Sequence, residues 1–292
     1  MLLSFINNVK NQMKFLHSFS LFWRYARYRY ILYRIFLRVK MGKDKRDKFL
    51  RQNRTSEFDF LPERAYVTDS GVKAIPRRKT RDFQMLFISR EQEVKRHLVM
   101  EENETFVDVG ANVGSYSLMV ANDYRDRVVK VIAIEAHPEN YKALCRNIQC
   151  NKFENVIIPI NKVVSNYKGL VDLYERSHDG TRVDSEMYSV CNDQRIDANN
   201  ILHPNGKSLE IECDTLDNIL LNYRVDVIKM DVEGAEVLAL KAATKTLERI
   251  RKIVVEIHGD KSADVKQVLN THGFKVESIN EKGQMSYITG TK

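Results

Sequence analysis

Short, continuous apolar runs alternate with segments of helical character through most of the chain after residue 100. Strands buried on both faces of a parallel sheet give such runs, whereas half-exposed strands alternate apolar with polar residues. The pattern predicts strands at 104–109, 128–134, 155–160, 209–213, 225–230 and 253–257. It predicts helices at 90–101, 115–121, 138–150, 215–223, 234–249 and 260–272. Strand–helix units repeated in this order indicate an α/β fold with a right-handed parallel sheet.

The C-terminal part of the chain does not follow this alternation of strands and helices. Two apolar runs, Phe274–Ile279 and Met285–Thr289, are joined by only five residues. A connection that short permits an antiparallel pair but no parallel crossover. We therefore expect a mostly parallel sheet that ends in an antiparallel hairpin.

Three further stretches interrupt the alternation of strands and helices. Residues 166–169 have the composition of a hairpin turn. Residues 175–207 are polar and contain glycine, and an insertion this long is typical of either a functional lid or a disordered loop. The irregular segment 55–88 suggests short strands near 64–68 and 84–88.

The N-terminal segment differs from the rest of the chain in charge. Residues 1–54 hold 14 of the 47 Lys and Arg residues but only 2 of the 39 Asp and Glu residues. The remainder has 33 basic and 37 acidic residues, so the basic character is confined to the N-terminal segment. We therefore divide the chain into a basic, aromatic helical arm (1–54) and a domain (55–292) that contains the insertion.

Residues 15–39 of the arm interleave aromatic and aliphatic residues with arginine. A helix would separate the two kinds of residue, because positions three and four apart share a face. The apolar face would hold Tyr28, Leu32, Ile35 and Val39, and the basic face would hold Arg27, Arg34 and Arg38.

The arginines exclude an ordinary spanning helix, which needs ~20 nearly uncharged residues. A basic amphipathic helix with aromatic residues fits the surface of an anionic membrane. Two alternatives stay open: a helix that packs on the domain or on a second subunit, and an arm that binds RNA. Nucleic acid is the least favoured of the three partners.

The four cysteines, Cys145, Cys150, Cys191 and Cys213, form no Cys-x-x-Cys pair and no zinc-like spacing with histidine. In a chain of this size they indicate reduced thiols in a reducing compartment. The first apolar run does not have the form of a secretory signal. We therefore expect a cytoplasmic protein, peripheral at the inner face of the membrane if the arm binds lipid.

The candidate chemistry centres on a buried strand that begins at Thr105 and stops at Gly110. Helical character resumes at Ser115, so the turn leaves room for a ligand against bare backbone at a helix start. The Gly-x-x-x-Gly spacing differs from the dinucleotide fingerprint, and no Gly-Lys-Ser/Thr follows. Asp108, just before the turn, would repel a pyrophosphate and suits a cationic or hydroxyl-bearing ligand.

Acidic residues stand at the ends of four predicted strands: Asp108, Glu135, Asp231 and Glu256. Ligands of open α/β sheets bind outside the carboxyl ends of the strands. The distance in sequence from Gly110 to Glu135 suits a carboxylate on ribose hydroxyls. Taken singly, each acid is equally well a solvated strand end or a helix cap. Together with the glycine turn, they favour a nucleoside ligand without phosphates.

Five motifs follow one another in order: VDVGANVG (107–114), IEAHP (134–138), DTLD (214–217), IKMDVEGAE (228–236) and VEIH (255–258). In this set and order the chain resembles the FkbM family of S-adenosylmethionine-dependent methyltransferases, over roughly residues 85–290. The resemblance implies a class I, Rossmann-like methyltransferase fold with a seven-stranded, mostly parallel sheet. That fold agrees with the antiparallel hairpin predicted above.

The resemblance also implies S-adenosylmethionine as the cofactor and hydroxyl oxygens of sugars or natural products as acceptors. The implied cofactor residues are Asp108, Gly110, Asn112 and Gly114 around the methionine and ribose, Glu135 on the ribose hydroxyls, Asn161 near the adenine, and Asp231 facing both cofactor and acceptor.

Methyl transfer to an alcohol requires alignment and removal of the acceptor's proton. The candidate bases are His258 and Asp231, with Lys229 and Glu233 as residues that orient them. Carboxylates also bind divalent cations, but the ligand set here is too sparse to predict a metal site.

We therefore expect an O-methyltransferase that acts on a hydroxyl of a saccharide, glycolipid or similar small molecule, with residues 175–207 forming part of the acceptor site. Two alternatives stay open: a non-catalytic methyltransferase-like adaptor on membrane or RNA, and an RNA ribose methyltransferase. An NAD-dependent enzyme is disfavoured by the spacing of the glycine turn.

Overall fold

The structure is a computed structural model. It describes residues 19–52, 60–61, 64–68, 70–78, 80–87, 92–127, 129–176, 184–190, 208–280 and 285–292. The chain divides into two compact units, residues 1–88 and 89–292. Our division into an arm (1–54) and a domain (55–292) rests on charge and stays a prediction.

A seven-stranded sheet forms the centre of the larger unit. Its strands are β3 (Thr105–Val109), β4 (Lys130–Ile134), β5 (Ile157–Ile160), β10 (Val227–Met230), β11 (Lys252–His258), β12 (Lys275–Asn280) and β13 (Met285–Thr291). The order across the sheet is β12-β13-β11-β10-β3-β4-β5. The five strands from β11 to β5 are parallel, and β13 is antiparallel to both β11 and β12. The predicted parallel sheet with an antiparallel hairpin at its end is confirmed.

The two central strands of the sheet are fully buried and mostly apolar. Every residue of β3 and of β10 is buried, as expected for strands covered on both faces. Two charged residues interrupt these strands at adjacent positions, since Asp108 of β3 is paired in register with Lys229 of β10. This buried pair marks the end of the sheet at which the site lies.

The helices of the larger unit follow the predicted alternation with strands. They are α4 (Gln92–His97), α5 (Ser115–Asp123), α6 (Pro138–Asn151), α7 (Leu216–Ile219), α8 (Glu236–Lys241), α9 (Thr244–Arg249) and α10 (Ser262–Thr271). The single helix predicted at 234–249 is wrong, because the chain forms α8 and α9 there. Asp217 explains the break: its carboxylate accepts hydrogen bonds from the N–H groups of Lys245 (3.0 Å) and Thr246 (2.7 Å), and so caps a new helix start.

A smaller sheet lies in the same unit. Its strands are β6 (Val163–Val164), β7 (Gly169–Arg176), β8 (Asp184–Val190) and β9 (Ser208–Asp214), in the order β6-β9-β7-β8. The hairpin turn predicted at 166–169 is wrong, because β6 and β7 both pair with β9 and not with each other. The predicted insertion 175–207 includes β8, while residues 177–183 and 191–207 lie outside the described residues.

The structure describes two helices in the N-terminal part of the smaller unit, α1 (Phe19–Met41) and α2 (Lys43–Gln52), and both lie within the predicted arm. A short antiparallel pair, β1 (Tyr66–Val67) and β2 (Lys73–Ala74), is followed by α3 (Asp82–Phe87). The strand predicted near 84–88 is therefore wrong. Phe83 and Phe87 stack at helical spacing, with ring centroids 4.7 Å apart, and this contact favours the helix. Within the described part of the chain, no helix has the length and apolarity needed to cross a bilayer.

Candidate functional site

The glycine turn after β3 is built against the end of β10. Gly110 has a φ of +78°, and a Cβ placed on it would lie 1.7 Å from the backbone carbonyl oxygen of Asp231. The N–H groups of Gly110 and Ala111 both donate to the carbonyl of Ile134 at the end of β4, at 2.9 Å. The turn therefore requires glycine at position 110 and joins three strand ends.

Asn112 and Gly114 continue the turn with left-handed backbone, at φ values of +50° and +95°. Asparagine adopts left-handed backbone more readily than most residues, so the local conformation alone favours asparagine at position 112. Its N–H donates to Glu135 Oε2 at 2.7 Å, while its side-chain Oδ1 is buried and has no hydrogen-bond partner among the residues that the structure describes. Asn112 therefore offers an acceptor for a ligand.

Asp108 lies at the end of β3 and is 1% exposed. Its Oδ2 accepts hydrogen bonds from the N–H (3.0 Å) and the hydroxyl (2.6 Å) of Ser117, whereas Oδ1 is buried and accepts none from the described residues. Burial raises the pKa of Asp108, against the opposing effect of Lys229 and Ser117. One oxygen thus holds the first turn of α5, and the other is a buried acceptor that no described donor reaches.

Glu135, at the end of β4, closes the turn from the other side. Its Oε2 accepts from Asn112 N–H, and its Oε1 accepts from His137 N–H at 2.9 Å. Asn140 Nδ2 lies 3.4 Å from the same Oε1. Burial raises the pKa of Glu135, and these hydrogen bonds partly oppose the shift. The carboxylate predicted to take ribose hydroxyls therefore also fixes the loops around it.

An open cleft lies at this edge of the sheet. Its volume is about 630 Å³ when open solvent is included. Four of the predicted cofactor residues are among its lining residues: Gly110, Asn112, Glu135 and Asp231. Lys162, Val164 and Leu173, on or next to strands of the smaller sheet, line the cleft as well.

Lys229 and Asp231 form an ion pair at the cleft. Lys229 Nζ donates to Asp231 Oδ2 at 3.2 Å and lies 4.9 Å from the centroid of the Tyr116 ring. Burial alone would raise the pKa of Asp231, but Lys229 and His258 outweigh it and hold the pKa below its ordinary value. Asp231 is therefore ionised at neutral pH, and no donor within the described ranges is hydrogen-bonded to its Oδ1.

His258, the last residue of β11, is surrounded by carboxylates. Its Nδ1 lies 3.1 Å from Glu236 Oε1, and its Nε2 lies 3.4 Å from Glu233 Oε2 and 3.7 Å from Glu256 Oε1. Burial would lower the pKa of His258, but the carboxylates of Glu236, Glu233 and Asp231 raise it to about 9. The imidazole is therefore protonated at neutral pH, and its Nδ1 donates to Glu236 Oε1.

The turn that follows Asp231 has an unfavourable backbone conformation. Glu233 has a φ of +51° and Gly234 has a φ of +101°. A left-handed conformation costs a residue such as Glu233 about 1 kcal/mol. Surrounding contacts hold the turn: Gly234 N–H donates to Glu236 Oε1 at 2.8 Å, and Lys261 Nζ donates to the Gly234 carbonyl at 2.6 Å.

Three side chains of this site have the ligand types that bind a metal ion. Single ligand atoms of Asp231, Glu256 and His258 all lie within 4.8 Å of one another. Among the described residues, however, Lys229 and protonated His258 already supply positive charge to the same carboxylates. We therefore keep the prediction that the site works without a metal.

The four predicted catalytic residues, Lys229, Asp231, Glu233 and His258, lie together through their mutual ion pairs. Asn161, predicted to lie near the adenine, donates from its side-chain amide to the carbonyls of Glu135 (2.8 Å) and Ala136 (2.9 Å), and its role beside the cofactor stays a prediction. Sequence reasoning gave no role to Glu236, the closest carboxylate to His258. It is the last residue of the motif at 228–236, and only the fold brings it to β11.

Comparisons with known proteins agree with this architecture. Residues 108–276 match the family described as Methyltransferase FkbM domain, which is more than half of the chain. The chain belongs to the FkbM methyltransferase family. It is therefore an S-adenosylmethionine-dependent methyltransferase, and the fold predicted from the resemblance is confirmed.

Individual relatives of this FkbM protein are distant. Hexuronic acid methyltransferase AglP of Haloferax volcanii is 24% identical over 213 residues, which cover 69% of this chain and 77% of AglP. Methyltransferase sdnD of Sordaria araneosa is 28% identical over 54% of this chain and 67% of its own length. A solved FkbM methyltransferase from Methylobacillus flagellatus has a TM-score of 0.44 at 15% identity, covering 72% of this chain and 48% of that one.

Proposed function

We propose that this FkbM protein transfers a methyl group from S-adenosylmethionine to a hydroxyl oxygen of a saccharide or glycolipid. The observation that carries the proposal is the position of an ionised, lysine-paired Asp231 on the wall of the cleft that contains the glycine turn. Similarity to a relative named as a hexuronic acid methyltransferase supports the saccharide class.

The cleft has the chemistry that the cofactor needs. S-adenosylmethionine is cationic at its sulfonium and ammonium groups and carries ribose hydroxyls, so it calls for acceptors and negative charge. Asn112 and Asp231 line the cleft, and each has a buried side-chain oxygen that accepts no hydrogen bond from the described part of the chain. Asp108 holds a third such oxygen at the base of the turn. We propose that these residues and Glu135 hold the cofactor, which supplies an electrophilic methyl group when bound.

Asp231 is the group that we propose to take the acceptor's proton. A base must be unprotonated before the reaction, and Lys229 and His258 keep Asp231 in that state at neutral pH. His258, whose pKa is about 9, already carries a proton and is a poor base at that pH. We therefore assign His258 to a positioning role, in which its charge holds Asp231, Glu233 and Glu236 in place.

A hydroxyl acceptor fits this site better than a carboxylate acceptor. A carboxylate needs no base, and it would meet the negative charges of Asp231, Glu233 and Glu256 close to the reacting position. A hydroxyl needs a base and can donate to Asp231 Oδ1, to which no donor among the described residues is hydrogen-bonded. Methylation of a uronic acid at its carboxylate can be distinguished from methylation at a hydroxyl. Mild alkali cleaves the methyl ester but not the methyl ether.

Cofactor binding is tested by calorimetric titration of the full chain with S-adenosylmethionine and with NAD. Asp108→Asn keeps the hydrogen bonds from Ser117 but removes the charge, so we expect it to weaken S-adenosylmethionine binding at least tenfold, about 1.4 kcal/mol. Asp172→Asn, an exposed aspartate of β7, is the matched control and should bind normally. If the wild-type chain binds neither ligand, the non-catalytic adaptor becomes the better interpretation.

The acceptor is tested by transfer of labelled methyl groups to a panel of neutral saccharides, uronic-acid saccharides, glycolipids and RNA. We expect label on a saccharide-containing acceptor that survives mild alkali. Alkali-labile label would identify the carboxylate as the acceptor and contradict the role of Asp231. Label on RNA alone would instead identify an RNA ribose methyltransferase.

A further inference from the structure

Helix α1 has two apolar sides, of which one packs within the smaller unit. Tyr30 and Tyr33 contact the ring of Phe60, with centroid distances of 6.1 and 5.4 Å. Leu37 lies on the same side of the helix and is 4% exposed. These contacts bury one side of the helix, so the residues on the opposite side point away from Phe60.

The opposite side is apolar and exposed. The described residues include 14 large apolar side chains that are exposed, and six of them belong to this single helix. We call them the exposed apolar face: Tyr28, Ile31, Leu32, Ile35, Phe36 and Val39, with exposed fractions from 37% to 84%. A concentration of this kind marks an interaction site more often than an ordinary surface.

Positive charge borders the exposed apolar face on both sides. At ~100° per residue, Arg29 and Lys40 lie along one border and Arg38 along the other. All three are exposed, and Lys40 Nζ lies 5.8 Å from the centroid of the Phe36 ring. Residues 19–41 contain no Asp or Glu, so nothing on the helix opposes this charge.

We propose that α1 lies flat on an anionic lipid bilayer, with the exposed apolar face in the acyl region and the bordering cations among the headgroups. The pattern of an apolar stripe between basic borders matches interfacial helices. Each cation near an anionic surface contributes about 1 kcal/mol, which is about fivefold in partitioning. This inference goes beyond the proposed function and holds whatever acceptor the methyltransferase uses.

Two other occupants fit the face less well. RNA-binding surfaces stack bases on aromatic rings, whereas Ile31, Leu32, Ile35 and Val39 have no ring. A second copy of the chain would bring this face against itself, and the basic borders of the two copies would then repel each other. A bilayer supplies both an apolar interior and negative charge.

The test is co-sedimentation of the full-length protein with phosphatidylcholine vesicles, with or without phosphatidylglycerol. We expect binding only to the vesicles that contain phosphatidylglycerol, and weaker binding at high salt. Ile31→Ser/Ile35→Ser/Phe36→Ser should weaken binding at least tenfold. Leu170→Ser/Leu221→Ser, which changes exposed leucines of the larger unit (55% and 63% exposed), is the matched control and should bind like the wild type.

The contribution of the basic residues to membrane binding is tested with a second set of variants. Arg29→Gln/Arg38→Gln/Lys40→Gln should reduce vesicle binding by about a hundredfold, and Lys168→Gln/Lys241→Gln/Lys245→Gln, three exposed lysines of the larger unit, should not. Equal binding by the triple serine variant and the wild type would overturn the proposal. So would a wild-type dimer that the serine variant converts to a monomer, or binding to RNA but not to vesicles. S-adenosylmethionine titration of the same variants shows that each retains a folded methyltransferase unit.

Discussion

The backbone carbonyl of Asp231 leaves no room for a side chain at Gly110, where an added Cβ would lie 1.7 Å from the carbonyl oxygen. The close approach joins the turn after β3 to the turn after β10, so both walls of the cleft depend on it. Gly114, in the same turn, is less constrained. The nearest atom to an added Cβ there is a methyl carbon of Leu144, at 2.8 Å, which can move.

The two glycines should therefore differ in their response to alanine. Gly110→Ala should lower the free energy of unfolding by about 3 kcal/mol or more, because backbone must shift. Gly114→Ala, with its φ of +95°, should lower it by about 1–2 kcal/mol. Urea unfolding of both variants measures the difference, and equal losses would contradict the close approach.

The raised pKa of His258 predicts how stability depends on pH. The pKa is about 9 in the folded state and about 6.5 when the chain is unfolded, so the folded state retains a proton between these values. The stabilisation is complete below pH 6.5 and is lost as pH rises through 9, by up to about 3 kcal/mol.

His258→Gln isolates this contribution, because other groups titrate in both proteins. We expect the stability difference between wild type and variant to shrink as pH rises from 6.5 to 9. A difference that stays constant over that range would show that His258 is not charged in the folded protein. Urea unfolding at closely spaced pH values provides the comparison.

Glu233 has a carboxylate that pairs with His258, and it has a left-handed backbone conformation that is unfavourable for glutamate. Glu233→Gln and Glu233→Gly both remove the carboxylate beside His258, so both should slow methyl transfer. Glycine also accepts the φ of +51°, and we expect Glu233→Gly to be more stable than Glu233→Gln by about 1 kcal/mol. Thermal unfolding and methyl-transfer rates of both variants separate the two effects, and a less stable glycine variant would argue against strain at this residue.

Lys229 should set the pH range over which Asp231 is ionised. Lys229→Gln removes the nearest positive charge, so the pKa of Asp231 should rise. The acidic limb of the pH–rate profile should move upward by the same amount. Titration of the Asp231 carboxyl by NMR measures the shift without any acceptor. Lys168→Gln is the control, and an unchanged Asp231 in Lys229→Gln would remove the basis for its assigned role.

Methyl transfer should not depend on a divalent cation. A cation bound to Asp231, Glu256 and His258 would have to displace a proton held with a pKa of about 9, which weakens binding about a hundredfold at pH 7. We expect EDTA to leave the rate unchanged and Mg²⁺ or Mn²⁺ to have no saturable effect. Loss of activity in EDTA that Mg²⁺ restores would identify these residues as a metal site instead.

Patterns that act over short distances in sequence predicted most of the fold. Continuous apolar runs located the strands of the parallel sheet, and the five-residue connection after 279 predicted its antiparallel end. Failures occurred where a distant residue decided the outcome. Asp217 divides the helix predicted at 234–249, and β9 separates the strands predicted to form a hairpin around 166–169.

The site shows the same division between local and distant determinants. The sequence by itself determined the glycine turn, the acids at the strand ends and the family, because each depends on residue types at fixed short spacings. Only the tertiary structure decided the charge state of His258, since β11 and the turn after β10 bring Glu233 and Glu236 to it from more than 20 residues away. It also decided which side of α1 is exposed, because Phe60 covers the other side. Charge state and exposure depend on every group within a few ångströms in space, and the order of residues along the chain does not specify those neighbours.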